Sequence, residues 1–167
     1  MSELILRDRL RTSDRDAIAR ILVAAGAFRE EEIAIGLELV DESLHPGPST
    51  DYQWWLAERD GRIVGFACFG PVPLTEGTFD LYWIAILPEM RGTGIADRLD
   101  EAVTDSVRKV GGRLLLAETS STPPYEAARR FYRRRGYDVV ERIADFYRVG
   151  DDRLTFGKRL ARAGLES

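Results

Sequence analysis

Arg91-Gly92-Thr93-Gly94-Ile95-Ala96 stands between a run rich in aromatic and β-branched residues, Phe79 to Leu87, and a segment of helical periodicity. A glycine-rich link of this kind leaves backbone N–H groups unpaired at the positive end of a helix dipole, the arrangement that binds phosphate. Gly92 and Gly94 let the backbone come close to such a group. Two familiar phosphate loops fit poorly. A P-loop needs a Lys after its last glycine and has none here; a dinucleotide fingerprint needs a third glycine where Asp97 stands, although Glu118 imitates its ribose-binding acid. From these residues alone, the segment is either a phosphate cradle or a tight strand-to-helix connection whose glycines serve conformation.

Other chemistries lack their residues. The 167-residue chain has one Cys, Cys68, and one His, His45, so it cannot assemble an internal disulfide or a His/Cys zinc site; with its single His in a loop, a thiol protease or serine triad is disfavoured, and no metal is expected. His45 lies in the breaker His45-Pro46-Gly47-Pro48 and reads as a loop histidine. Cys68, amid Val64, Phe66 and Phe69, reads as a small buried hydrophobe. With 24 Lys and Arg against 28 Asp and Glu, the net charge of −4 argues against nucleic acid as the main partner. Composition is 44% hydrophobic and 31% charged, ordinary globular usage, and the length suits one domain spanning 1–167. No apolar run is long enough to span a bilayer, and Met1 to Arg7 shows no secretory leader, so a cytoplasmic protein without membrane association is expected.

The elements that position these residues follow from periodicity. Leu4 to Leu6 predicts a strand, and Ser13 with Asp16 offers a capping box for a helix carrying Ile18, Ile21, Leu22 and Ala25, stopped at Gly26. Glu30, Glu31 and Glu32 suit the start of a second helix with Ile33, Leu37, Val40 and Leu44 inward, ended by His45 to Thr50. Tyr52 to Glu58 and Arg62 to Gly70, joined by Asp60-Gly61, predict a hairpin. Phe79 to Leu87 predicts a strand, followed by a helix with Ile95, Leu99, Ala102, Val103, Ser106 and Val110 inward and Gly111-Gly112 at its close. Arg113 to Glu118 completes a βαβ unit and so a parallel pair. Thr122-Pro123-Pro124 opens a helix to Gly136 whose arginines, at 129, 130, 133, 134 and 135, read as a solvated face. Tyr137 to Tyr147 and Arg153 to Leu160 flank Val149-Gly150-Asp151-Asp152, a second hairpin signal. Trp54, Trp55 and Trp83 fall in strands and read as core or sheet face. The expected class is α+β, a mixed, mostly antiparallel sheet with one central βαβ crossover.

After a hydrophobic strand and Pro88, Arg91-x-x-Gly94-x-Ala96 resembles the acyl-CoA signature of the GNAT superfamily of N-acetyltransferases, Arg/Gln-x-x-Gly-x-Gly/Ala. Downstream, Ala128-x-x-Phe131-Tyr132-x-x-x-Gly136-Tyr137 is similar to that family's Ala-x-x-Phe-Tyr-x-x-x-Gly-Phe/Tyr helix. With the order of elements, the resemblance runs from about Leu4 to Leu160. It implies the GNAT acyltransferase fold, with helices on both faces of a sheet splayed open between the Phe79 to Leu87 and Arg113 to Glu118 strands, and acetyl-CoA as cosubstrate in the gap.

The resemblance also implies roles. The backbone of Ile84, Ala85 and Ile86 would meet the pantetheine arm, with the Ile86 N–H as oxyanion donor. The amides of Arg91, Gly92, Thr93, Gly94, Ile95 and Ala96 would hold the pyrophosphate. Tyr132 would be the general acid: a phenol near pKa ~10 can protonate a leaving thiolate whose parent pKa is roughly 8 to 9. Asp80 and Glu118 are the candidate bases. Many family members carry an Asn seven residues before the Tyr, where this chain has Tyr125, a residue that can instead line the acceptor pocket with Phe28, Phe146 and Tyr147. The acceptor is then an amine of a small molecule or peptide, and the acidity of the chain suits a cationic one. A non-catalytic acyl-CoA-binding regulatory module on the same fold is the alternative, disfavoured by an intact Tyr132; a dinucleotide oxidoreductase would need more parallel strands. Exposed strands of the terminal hairpins allow a homodimer.

Overall fold

The computed structural model describes residues 2–47 and 51–161. Its elements are β1 (Ile5–Arg7), α1 (Asp14–Ala24), α2 (Glu30–Leu44), β2 (Gln53–Arg59), β3 (Arg62–Pro71), β4 (Thr78–Ile86), α3 (Ile95–Lys109), β5 (Leu114–Ser120), α4 (Glu126–Arg134), β6 (Asp138–Arg148) and β7 (Asp151–Arg159). Single 3-10 turns, Pro88–Met90 and Pro123–Tyr125, precede α3 and α4. The strands form one seven-stranded sheet in the order β1-β2-β3-β4-β5-β7-β6. The pairs β1–β2, β2–β3, β5–β7 and β6–β7 are antiparallel and β4–β5 is parallel, as a βαβ crossover requires. The class is α+β, as expected. Among the described residues no helix is long and apolar enough to cross a membrane.

The chain divides into two compact units, one made of residues up to Gly70 with Trp83–Val103, the other of Pro71–Tyr82 with Thr104 onward. In the first unit, Asp60 (φ 53°) and Gly61 (φ 72°) both adopt positive φ, which is the two-residue turn that matches strand twist and joins β2 to β3. Ile18, Ile21, Leu22, Val40, Leu56 and Phe66 fill the core at 1% exposure or less. Gly36 on α2 makes room there: a Cβ at this position would sit 3.2 Å from Leu22 and 3.3 Å from Trp83. On the other sheet face a Cβ at Gly65 would meet Leu99 of α3 at 3.2 Å, so this unit carries helices on both faces. The α2 stripe is narrower than its pattern suggests, with Gly36 and Val40 buried and Ile33, Leu37 and Leu44 half-buried. The break after α2 begins at His45, and its residues 48–50 lie outside the described residues.

The start of α1 differs from the expected capping box, because Ser13 has helical φ and ψ and makes no capping hydrogen bond. Asp14 replaces it. Its carboxylate accepts the Arg11 N–H at 2.7 Å and two bonds from the Arg7 guanidinium at 2.8 and 2.9 Å, tying α1 to β1. Burial of Asp14 favours its neutral form, yet the Arg7 and Arg11 donors outweigh that and hold its carboxyl below the ordinary value.

In the second unit, Phe156, Leu115, Val107 and Tyr137 are almost fully buried. Gly111 (φ 81°) and Gly112 end α3 as expected, and Gly112 packs so tightly that a Cβ would lie 2.7 Å from the Val107 carbonyl oxygen. Val110, expected inward, is 70% exposed because the helix has already ended. The β6–β7 turn is only Val149-Gly150: Asp151 and Asp152 belong to β7, the first accepting the Ser120 hydroxyl and the second the Arg142 guanidinium and the Asp145 N–H. The arginines of α4 are also more than a solvated face. Arg129 donates to the carbonyls of Ser120 and Thr122 at 2.8 Å, Arg133 lies over Phe156 and Arg134 over Phe131. Long guanidinium side chains cover apolar surface while their charge stays in water.

Asp14→Ala is expected to lower unfolding free energy by about 3 kcal/mol at neutral pH, since it leaves Arg7 without its bidentate partner. A carboxyl with a depressed folded pKa stabilises above its unfolded value near ~3.9 and stops doing so as pH falls through the folded value. Urea titrations should therefore show the wild-type advantage at pH 7 shrinking in strong acid.

Candidate active site

The first unit holds the glycine loop. Leaving β4, the chain makes its 3-10 turn, with the Met90 N–H on the Leu87 carbonyl at 2.9 Å and the Arg91 N–H on that of Pro88 at 3.2 Å. Gly92 (φ 75°) and Gly94 (φ 82°) then take left-handed conformations, and the first helical bond of α3 runs from the Arg98 N–H to the Gly94 carbonyl at 3.1 Å. The N–H groups of Gly92, Gly94, Ile95 and Ala96 have no backbone acceptor among the described residues. A Cβ at either glycine would meet nothing within 4 Å, so backbone conformation, and not crowding within the fold, demands glycine here. Thr93 turns its hydroxyl back onto the Met90 carbonyl, and Arg91 reaches the Ala25 carbonyl at the end of α1 at 3.5 Å.

Ile84, Ala85 and Ile86 form the end of β4, with Ala85 buried and both isoleucines half-buried. Gly65 of β3 packs against them: a Cβ there would lie 2.8 Å from Ile86 Cγ2 and 3.1 Å from the Ala85 carbonyl oxygen. Sequence reasoning passed over Gly65, since a glycine inside a strand pattern was its only signal. Phe28 meets Trp83 edge-on at 5.0 Å between centroids.

The second unit holds Tyr132, Asp80, Glu118, Tyr125, Phe146 and Tyr147. Tyr132 is 7% exposed on α4, packed against Tyr137 at 5.3 Å and Phe156 at 5.4 Å. The start of α4 is pinned by a polar cluster: Ser120 Oγ donates to Asp151 Oδ1 at 2.5 Å and lies 2.7 Å from Thr122 Oγ1, while Arg129 clamps the two carbonyls named above. Tyr125, half-buried, closes the 3-10 turn with its N–H on the Thr122 carbonyl at 3.1 Å.

Register decides which residues share a face. The parallel β4–β5 ladder pairs Thr78, Phe79 and Asp80 with Leu114, Leu115 and Leu116 and goes no further, leaving Leu81 and Tyr82 unpaired to β5. Asp80 therefore shares a face with Leu116 and with Glu118 two residues on. Glu118 pairs with Thr155, whereas Phe156, the partner of Tyr132, points the other way. The carboxylates and the phenol lie on opposite faces of this sheet region. Burial, followed by the charge of Glu118, raises the Asp80 carboxyl above the ordinary carboxylate value.

Arg153 of β7 organises the carboxylate face, with its guanidinium 3.8 Å from Glu118, 2.7 Å from Glu141 and 4.4 Å from the centre of the Phe146 ring. Phe146 meets Tyr147 edge-on at 5.0 Å, beside a bulge where Asp145 has φ 54°. Arg153 thus links Glu118 to the Phe146–Tyr147 pair, with Asp80 on the same face as Glu118, and sequence reasoning missed it because only the register reveals it. Cys68 is buried, and burial pushes its thiol pKa up, away from the reactive thiolate. Among the described residues no three His, Cys, Asp or Glu side chains converge as metal ligands.

The Acetyltransferase (GNAT) family model matches residues 18–137, from α1 through α4, and the chain belongs to that family. An N-acetyltransferase of Escherichia coli (strain K12), the uncharacterized YjgM, is 25% identical over 138 residues, covering 80% of this chain and 81% of its own. A crystal structure from Desulfovibrio desulfuricans assigned to the GNAT acetyltransferases is 38% identical, with a TM-score of 0.90 over 95% of this chain and all of that one. YncA of Salmonella typhimurium, solved with its cofactor acetyl-CoA, shares the fold at a TM-score of 0.71 and 19% identity over 98% of each chain. The chain is an acetyltransferase by family.

Gly65→Val would drive its side chain into Ile86 and the Ala85 carbonyl. Overpacking of this kind costs roughly 1–3 kcal/mol, and a thermal melt should show a midpoint several degrees lower than wild type.

Proposed function

We propose that this chain moves an acetyl group from acetyl-CoA to a cationic amine of a small molecule or peptide, with Tyr132 as general acid and Asp80 as general base. The observation that carries this reading is the Gly92–Gly94 loop, with unpartnered N–H groups at the head of α3 and open space beside both glycines. Those donors suit the pyrophosphate of a CoA-type cosubstrate. The residues that would hold it are Arg91, Gly92, Thr93, Gly94, Ile95 and Ala96 through their backbone, with Ile84, Ala85 and Ile86 meeting the pantetheine arm. Bound acetyl-CoA supplies the acyl group as a thioester.

The chain's own groups then manage protons. An amine near pKa ~10 is protonated at neutral pH and must lose a proton before it attacks. Asp80, half-buried and raised by its surroundings, is the stronger base candidate, because Glu118 faces the Arg153 cation. Glu118 and Glu141 supply negative potential that favours a cationic acceptor, and the aromatic pair Phe146–Tyr147 gives its body a wall, with Phe28 and Tyr125 as further acceptor contacts. On the other face Tyr132 returns a proton to the departing sulfur. The Ile86 N–H is assigned to the carbonyl oxygen as charge develops there.

Tyr132→Phe removes one hydroxyl and should leave the Kd for CoA, read by isothermal titration, within about twofold while kcat falls at least about 100-fold. An unchanged kcat would remove Tyr132 from the chemistry. A base works deprotonated, so wild-type kcat/KM should rise with pH through the Asp80 ionisation, and Asp80→Asn should abolish that limb. Free-thiol release measured across pH against a panel of polyamines, aminoglycosides and peptide N-termini tests the limb and names the acceptor class together.

A further inference from the structure

A cleft of about 760 Å³ lies within the first unit between α1, β1 and the β2–β3 hairpin. Its size falls in the range of small-molecule pockets. Four arginines line it, Arg7, Arg11, Arg20 and Arg62, against three acids, Asp14, Glu58 and Glu89, in a chain whose net charge is −4.

The hydrogen-bonding capacity left in this cleft is mostly that of donors, with Glu89 as the one lining acid that no hydrogen bond or ion pair engages among the described residues. Asp14 already accepts from Arg7 and Arg11, and Glu58 lies 3.6 Å from Arg7. The guanidinium groups of Arg11, Arg20 and Arg62 make no hydrogen bond or close ion pair among the described residues. Donors therefore outnumber acceptors, and planar guanidinium forks are the groups best shaped for carboxylate or phosphate. Between the arginines the walls are apolar, from Ala17, Val23 and Ala24 on α1 to Ile63 and Leu87. Leu87 and Glu89 lead directly into Arg91, yet no residue of the glycine loop lines the cleft.

We infer that this cleft is a binding site for a small organic anion, a carboxylate or phosphate on an apolar body, separate from the cosubstrate loop and occupied at the same time as it. This site does not depend on the acyl-transfer reading.

Isothermal titration of the full chain, with and without saturating CoA, tests it. The probes are phenylpropanoate and phenyl phosphate, with phenylpropanol as the uncharged counterpart; the two anions tell a carboxylate ligand from a phosphate one. Saturable binding of at least one anion, unaffected by CoA, is expected. It should weaken about tenfold in Arg20→Ala and in Arg62→Ala, both exposed positions whose loss leaves the fold intact, and stay unchanged in Arg108→Ala on α3. No saturable binding, equal binding of the alcohol, displacement by CoA, or indifference to both cleft substitutions would overturn the site.

Discussion

A chain that passes from a strand into a helix while leaving the first helical N–H groups without backbone acceptors must turn within a few residues, and it does so here through left-handed Gly92 and Gly94. Any side chain at those positions would oppose positive φ by roughly 1–2 kcal/mol per residue. The direction of α3 follows from that turn, and so does the end of β4 that Gly65 and Val64 hold from the neighbouring strand, the latter through its carbonyl on the Leu87 N–H at 2.9 Å. The concentration of donors at one spot is thus a property of backbone conformation. Arg91, the one charged side chain of the loop, is spent in part on the carbonyl of Ala25.

The second unit is governed by the alternation of strands. One face of β5 and β7 carries Glu118, Thr155 and Arg153, and the other carries Ala117 and Phe156, on which α4 lays Tyr132. Acid and base candidates are thereby kept in different surroundings, the phenol among rings and the carboxylates in a half-exposed charged cluster. Such separation is how one protein keeps a proton donor and a proton acceptor at the same pH. The polar cluster of Ser120, Thr122, Asp151 and Arg129 fixes the start of α4, and through it the height of Tyr132 along the helix.

Charge is distributed with purpose across both units. The Arg7–Asp14 pair stitches β1 to α1, and Arg153 relieves the repulsion between Glu118 and Glu141 while lying over Phe146. A formal charge of −4 hides these local concentrations, in which arginines dominate one cleft and carboxylates another surface.

Much of this was legible in the amino acids. Spacing of glycines after a hydrophobic strand, the Ala-x-x-Phe-Tyr-x-x-x-Gly-Tyr run and the hairpin at Asp60-Gly61 are local signals, because each depends on backbone preferences of neighbouring residues. They gave the α+β class and the family. The anchoring of α1 by Asp14, the shortened β6–β7 turn, the packing role of Gly65 and the place of Arg153 were not legible. Each rests on a partner distant in sequence: Arg7 for Asp14, Ser120 for Asp151, Ile86 for Gly65, Glu118 for Arg153. Strand register brings the last three pairs together, and the docking of α1 on β1 brings the first; both are set by the packing of whole faces, which no local pattern records.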